Sequence, residues 1–251
     1  MDPIFNFKDK LYLVTGASSG LGMAISELLS EFGARVILTA RNEMRLNEVR
    51  ASLSGSNHLV FPKDLMESDY TDLFDYSCSG GRRIDGVVHC AGIAPVVPLS
   101  SLTRARADEC MTANFYSFLE LMRLYSKKKY RAEKGSVVAV SSISSFYPDK
   151  CQTIYAASKA AMNTAVQGLA LEFVKNNVRV NAVVPGSMDT EMTRKAIENG
   201  QIDSMSRKAE RQILGLTNPI EVAKVIIFLL SDLSSSITGR TIFADGGYIN
   251  F

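Results

Sequence analysis

Histidine is scarce in this 251-residue chain, which holds only His58 and His89. The four cysteines, Cys78, Cys90, Cys110 and Cys151, are scattered, and none stands in a Cys-x-x-Cys pair. Zinc sites draw on such residues at short, regular spacings, so no metal site is expected. Scattered thiols suit a reducing compartment, each packed as a small apolar group. Long apolar runs are missing too. The longest, Val225 to Leu230, falls far short of the ~20 residues that span a bilayer. Met1 to Phe7 shows no basic segment leading into an apolar stretch, so no secretion signal is read there and the expected location is the cytoplasm. Neither sign of charge dominates. With 28 basic against 26 acidic residues, nothing drives the chain toward nucleic acid or a membrane surface.

What is present is the balance of an ordinary globular protein, 46% apolar and 22% charged. A chain of this length buries about three quarters of its unfolded surface and needs no staples. Short apolar runs alternate with longer helical ones. Strands are expected at Leu11–Thr15, Arg35–Thr39, His58–Phe61, Gly86–His89, Ser136–Ser141, Arg179–Val184 and Arg240–Phe243. Helices are expected at Gly22–Phe32, Glu43–Leu53, near Ser68–Tyr76, from Thr103 to Lys128, from Thr153 to Lys175, and at Ile220–Ser231. Continuous Val/Ile/Leu strands belong to parallel sheets buried on both faces. Strict alternation with helices gives right-handed crossovers, hence an α/β Rossmann fold: a doubly wound, seven-stranded parallel sheet with helices on both faces. No repeat or linker divides the chain, so residues 1–251 read as one domain. The stretch Met188 to Leu214 is an insertion with two open readings, a mobile flap over a substrate or a pair of surface helices.

The first strand runs into Thr15-Gly16-Ala17-Ser18-Ser19-Gly20-Leu21-Gly22. Gly16 permits a tight turn, Gly20 a close approach of backbone to a pyrophosphate, and Gly22 close packing of helix on strand. Backbone N–H groups from Ser18 to Leu21, where the helix starts, then face the phosphates. A glycine-rich loop alone is weak evidence; one placed between the first strand and first helix is much stronger. At the end of the second strand, an acidic residue would bind a ribose 2′-hydroxyl and repel a 2′-phosphate. This chain has Thr39-Ala40-Arg41 instead, and a guanidinium suits a phosphate. NADP(H) is the expected cofactor, the alternative being that Arg41 is only a solvated charge.

The spacing Thr-Gly-x-x-x-Gly-x-Gly resembles the signature of the short-chain dehydrogenase/reductase family, and the resemblance extends from Lys10 to about Gly247. It implies that Asp64-Leu65 meets the adenine ring and that Ala91-Gly92 lies against the cofactor, with Cys90 where the family usually has asparagine. Many NADP-dependent members carry a basic residue where this chain has Ser19. Further matches are Asn181 to Gly186, Thr190, Thr238-Gly239 and Asp245-Gly246-Gly247. In such enzymes the Pro185-Gly186 segment passes the nicotinamide, and Thr190 would hold its carboxamide.

Tyr155-Ala-Ala-Ser-Lys159 opens a helical stretch, and residues four apart share a helix face. A cation beside a phenol favours the phenolate and brings a tyrosine, ordinarily near ~10, toward the range of a general acid–base. A Tyr-x-x-x-Lys pair is common by itself. Here Ser142 ends the fifth strand thirteen residues earlier, which matches the family's spacing for its catalytic serine and favours Ser142 over Ser141. Asn114 corresponds to the family's fourth catalytic position, its other reading being a helix-bending amide. The resemblance implies that Tyr155 protonates a carbonyl oxygen, that Lys159 also binds the nicotinamide ribose, and that Ser142 holds the substrate oxygen. Asn114 would support a water joining Lys159 to solvent.

The pocket is expected between Ile93–Val97, Ser144–Ile154 and the 188–214 stretch, with an apolar wall that includes Phe146, Tyr147 and Pro148. In general appearance the chain resembles the 3-oxoacyl-carrier-protein reductases, although His89-Cys90 replaces their usual Asn-Asn. The basic run Lys127-Lys128-Lys129 with Arg131 could meet an acyl carrier protein or could be a solvated helix end. Two other readings are a sensor that holds NADPH without turnover and a nucleotide-sugar epimerase or dehydratase. The first does not need all four residues Asn114, Ser142, Tyr155 and Lys159; the second usually needs a further substrate domain. The resemblance also implies a homotetramer, or a homodimer, and the segment Tyr248 to Phe251 is apolar enough to pack at such an interface.

Overall fold

The computed structural model describes residues 5–191, 193–194 and 211–248. The interior of the expected flap (192 and 195–210) and the C-terminal 249–251 lie outside the described residues. Seven strands, β1 (Leu11–Thr15), β2 (Arg35–Thr39), β3 (Leu59–Val60), β4 (Ile84–His89), β5 (Arg131–Val140), β6 (Val178–Pro185) and β7 (Thr241–Ala244), form one sheet in the order β3-β2-β1-β4-β5-β6-β7. Every pairing is parallel. The helices used below are α1 (Gly20–Glu31), α2 (Glu43–Ser52), α3 (Thr71–Cys78), α4 (Arg104–Met111), α5 (Ser117–Tyr125), α6 (Thr153–Phe173) and α7 (Pro219–Leu230).

Alternation along each strand feeds two cores. Tyr12 and Val14 of β1, Val88 of β4 and Val138 of β5 face α1, α2 and α7, against Ile25, Leu46 and Ile226. Their neighbours Leu11, Leu13, Val87 and Val137 face α3, α5 and α6, against Phe74, Phe118 and Met162. Successive strand residues point to opposite faces, so a strand buried on both must be apolar throughout. Each fully buried Val, Leu or Ile stabilises the fold by roughly 1.5–3 kcal/mol. No helix among the described residues is long and apolar enough to cross a membrane.

The fifth strand begins at Arg131, five residues before the expected Ser136, and two other elements differ from the sequence expectation for a visible reason. The third strand shrinks to Leu59–Val60 because His58 leaves the ladder to brace a loop. Its Nδ1 accepts from the Val36 N–H at 3.2 Å, and its Nε2 lies 3.0 Å from the Ser54 carbonyl. The single helix expected from Thr103 to Lys128 is instead α4 and α5, joined by a π-helical turn over Thr112–Tyr116. Such turns arise where a side chain or neighbouring segment draws the backbone out of α-helical register, and they gather at functional sites. Here the residue at the centre of the turn is Asn114.

Candidate active site

The sheet order reverses between β1 and β4, so the carboxyl ends of these strands part and leave a crevice. A cleft of about 680 Å³ opens there. Gly16 turns the chain out of β1 at φ +66°, and a Cβ on it would lie 2.9 Å from the Ala91 nitrogen. A side chain at Gly22 would collide with the Gly16 carbonyl oxygen. The loop is thus compact enough for α1 to start at the cleft. Ser19 precedes α1 without capping it through its side chain, and no acidic residue occupies the first turn. The N–H groups and dipole of this turn therefore face the cleft between Ser18, Ser19, Gly20 and Leu21, an arrangement suited to phosphate.

At one end of the cleft lie Arg41, Asp64 and Leu65. Asp64 Oδ1 accepts from the Met66 N–H at 3.0 Å, which fixes the turn after β3, and Leu65 is buried beneath it. Nearby Lys63 is paired with Glu67 (2.6 Å) and Asp72 (2.8 Å). Arg41 is exposed and has no ion-pair partner among the described residues. Arg45, one helical turn on, pairs with Glu191 at 3.1 Å across the cleft.

At the other end, Ser142, Tyr155 and Lys159 come together with Pro185, Gly186 and Thr190. Ser142 stands at the carboxyl end of β5, its Oγ accepting from the Ser144 N–H at 3.2 Å. Ser141 also borders the cleft, but its hydroxyl is engaged, donating to the Lys159 carbonyl at 3.3 Å. Lys159 is 4% exposed and its Nζ donates to the Val140 carbonyl at 2.7 Å. Burial pulls its pKa down to about 8. The Tyr155 phenol is pushed above its ordinary value of 10 by burial, with a hydrogen bond to Ser142 pulling the other way. The lowering expected from Lys159 is therefore not found in the protein alone. Lys159 is not among the groups that shift the phenol; burial dominates, and the lysine is itself desolvated and turned to the Val140 carbonyl.

The Asn114 side chain is wholly engaged in holding backbone and the start of α6. Its Oδ1 accepts from the Ile93 N–H (2.8 Å), and its Nδ2 donates to the Ile93 carbonyl (3.0 Å) and Ser158 Oγ (2.9 Å). Gly92 passes directly over it, and a Cβ there would sit 2.7 Å from Asn114 Oδ1 and 3.5 Å from Lys159 Nζ. In this structure Asn114 touches the turn after β4 and the start of α6, so its side chain is a positioning group. Thr190 packs over the glycine loop, its Cγ2 3.5 Å from the Cβ position of Gly20, while its hydroxyl meets that of Thr193 at 3.1 Å.

Several participants were missed from the sequence. Thr15 and His89 are paired in register at the ends of β1 and β4. The Thr15 hydroxyl accepts from the Cys90 and Ala91 N–H groups, each at 3.1 Å, and meets His89 Nδ1 at 3.1 Å. His89 Nε2 lies 3.3 Å from the Asn114 carbonyl. Only the tautomer with hydrogen on Nε2 satisfies all four contacts. Burial, aided by the Lys159 charge, drives the His89 pKa down to about 3, so the ring stays neutral. This chain of contacts braces the turn that Cys90 leaves without an asparagine side chain. The expected apolar wall is corrected in part: Ile93, Ala94 and Val96 line the cleft, but Phe146 packs on Phe243 and Tyr147 stacks on Tyr248.

Residues 16–249 match the family described as enoyl-(acyl carrier protein) reductase. The 3-oxoacyl-[acyl-carrier-protein] reductase of Thermotoga maritima is 34% identical over 244 residues, covering 96% of this chain and 98% of its own. An NAD-dependent glycerol dehydrogenase of Listeria innocua is 31% identical over 248 residues, covering 98% and 96%. Among solved structures, a 3-oxoacyl (acyl-carrier-protein) reductase from Agrobacterium tumefaciens with NADP bound superposes with a TM-score of 0.85 at 31% identity, covering 98% and 96%.

Proposed function

The chain belongs to the short-chain dehydrogenase/reductase family of CH–OH/C=O oxidoreductases, and on that premise we propose that it moves a hydride between NADP(H) and a small, partly apolar carbonyl or alcohol. The observation that carries this reading is the meeting of Ser142, Tyr155 and Lys159 in the same cleft as the α1 glycine loop. A bound reduced nicotinamide supplies the hydride. Tyr155, a protonated phenol at neutral pH, gives its proton to the carbonyl oxygen. Ser142 donates a hydrogen bond to that oxygen and stabilises its growing charge. Lys159 holds the nicotinamide ribose and stabilises the phenolate that Tyr155 becomes. Asn114 keeps the Gly92–Ile93 turn and the start of α6 in place and supports a water path from Lys159 to solvent. Arg41 favours NADP(H) over NAD(H), a distinction that the names of the relatives leave open, since one of them is NAD-dependent.

The reading includes a cytoplasmic homotetramer. A 3-oxoacyl substrate on a carrier protein is its sharper form and is supported by the relatives' names. The basic run gives that form limited support. Arg131 is buried, donating to the Ala132 and Asn176 carbonyls, and the exposed Lys129 is paired with Asp75 at 3.2 Å, so Lys127, Lys128 and Lys129 of the run face outward, the last with its charge partly balanced. A sensor without turnover is disfavoured by the complete proton-handling set. The test is NADPH oxidation with acetoacetyl carrier protein, acetoacetyl pantetheine and small ketones. Saturable turnover is expected, and at least about tenfold higher kcat/KM on the carrier would mark the sharper form. No oxidation with any substrate in a broad carbonyl panel would contradict the proposal.

A further inference from the structure

The segment leaving β6 forms the wall of the cleft at the Tyr155 end, yet its pairing with β7 ends at Pro185, and among the described residues only an isolated bridge from Met188 to Thr217 continues it. One side chain supplies the missing neighbour. Gln212 Oε1 accepts from the Ser187 N–H at 2.5 Å, and Gln212 Nε2 donates to the Ser187 carbonyl at 3.2 Å. A single carboxamide thus pairs with both polar groups of one residue, as an adjacent strand would. The same Nε2 donates to the Gly215 carbonyl at 2.7 Å and lies 3.4 Å from Thr217 Oγ1. Thr217 completes the link, donating its N–H to the Ser187 carbonyl and accepting from the Asp189 N–H, both at 3.1 Å.

This amide is 3% exposed. Burying it is tolerable only because its donors and acceptor are all used. Two glycines are shaped around it. A Cβ on Gly186 would lie 2.7 Å from Gln212 Oε1, and a Cβ on Gly246 would lie 3.0 Å from its Nε2. Gly186 therefore answers to the glutamine behind it as well as to the cleft before it. The contact joins residues 25 positions apart.

We infer that Gln212 is a positioning residue for the nicotinamide half of the cofactor site, setting the place of Pro185, Gly186 and Ser187 against the ring. This rests on the NADP(H) reading above. Small displacements of a wall weaken only the ligand parts that touch it. Loss of the glutamine therefore weakens whatever reaches the Tyr155 end and spares whatever stops at Arg41.

The test compares two ligands on wild type and Gln212→Met, with thermal melting to verify folding. NADPH reaches both ends of the cleft; adenosine 2′,5′-bisphosphate reaches only the Arg41 end. In Gln212→Met the Kd for NADPH is expected to rise about tenfold, the loss of one or two buried hydrogen bonds. The Kd for adenosine 2′,5′-bisphosphate is expected to stay within about twofold. Gln212→Asn keeps the amide but is one methylene too short to serve both Ser187 and Gly215, and is expected to show the same selective loss, smaller, even if the methionine variant fails to fold. An unchanged NADPH affinity, or an equal loss for both ligands, overturns the inference while leaving the cofactor reading intact. Failure of the wild-type protein to bind NADPH overturns both.

Discussion

Tyr155→Phe is expected to lower kcat/KM for carbonyl reduction about a thousandfold, with the Kd for NADPH within about twofold of wild type. The phenol ring stays, so packing at the start of α6 is preserved, and what is lost is one O–H. Positioned proton transfer contributes about 10²–10⁴ to a rate, and a thousandfold is about 4 kcal/mol of barrier. Burial raises the Tyr155 pKa above 10, so at neutral pH wild type is already in the acid form that reduction consumes. The variant cannot be rescued by lowering the pH, because no other hydroxyl takes its place: the Ser142 hydroxyl is far too weak an acid and is already a hydrogen-bond partner of Tyr155. Measured activity within about tenfold of wild type would remove Tyr155 from the role given to it.

Lys159→Met is expected to trade activity for stability. The ammonium is buried, and burial brings its pKa to about 8 from an ordinary 10.5. A base whose folded pKa is depressed is disfavoured in its charged form. Below pH 8 the folded protein bears the whole cost of the buried charge, and the cost fades as pH rises from about 8 toward 10.5, where the unfolded chain also loses its proton. That cost is on the order of 3 kcal/mol. Methionine fills the same space without charge but leaves the Val140 carbonyl without its donor, which returns about 1–2 kcal/mol. The net expectation at pH 7 is a melting temperature higher by about 3–6 °C. Turnover falls by about two to three orders of magnitude, since the phenolate left on Tyr155 loses its nearby cation. In wild type, kcat for reduction should decline as pH rises through about 8, and this limb should be missing from the residual activity of the variant. A variant that melts lower than wild type at pH 7, or an unaltered pH profile, would contradict the account of Lys159 as a strained, charged participant.

The framework was legible because local pattern and tertiary demand agree along it. Strands buried on two faces must be largely apolar, and Leu11–Val14, Val36–Leu38 and Ala182–Val184 are unbroken apolar runs. A glycine loop between the first strand and first helix admits few geometries, and Tyr155 and Lys159 share a face by helical spacing alone. Contacts between distant segments left no such trace. The π-helical turn at Thr112–Tyr116 accompanies a clamp between Asn114 and Ile93, 21 residues apart. The pairing of Thr15 with His89 depends on β1 and β4 being neighbours, which is a matter of topology. Gln212 looks like a surface amide in sequence and becomes a strand substitute only when the chain beyond β6 is laid beside it. The Tyr155 pKa was misjudged for the same reason: a four-residue spacing reports a neighbouring cation but says nothing of burial, and burial is the larger effect. Phe146 and Tyr147, apolar and close to the site in sequence, were drawn to Phe243 and Tyr248 by aromatic packing that only the folded sheet brings about.

The central claim is that this cleft holds NADP(H) in preference to NAD(H), with its phosphate end set by Arg41. The most direct measurement is a fluorescence titration of the purified protein with NADPH and with NADH, beside Arg41→Ala. The account predicts NADPH binding at least about tenfold tighter than NADH, with that preference largely lost in the variant, in keeping with the roughly 1.5–3 kcal/mol of a charge-assisted hydrogen bond. Equal affinities in wild type, or a preference that survives Arg41→Ala, would contradict the assignment of the phosphate end. Binding of neither nucleotide would contradict the reading of the cleft itself.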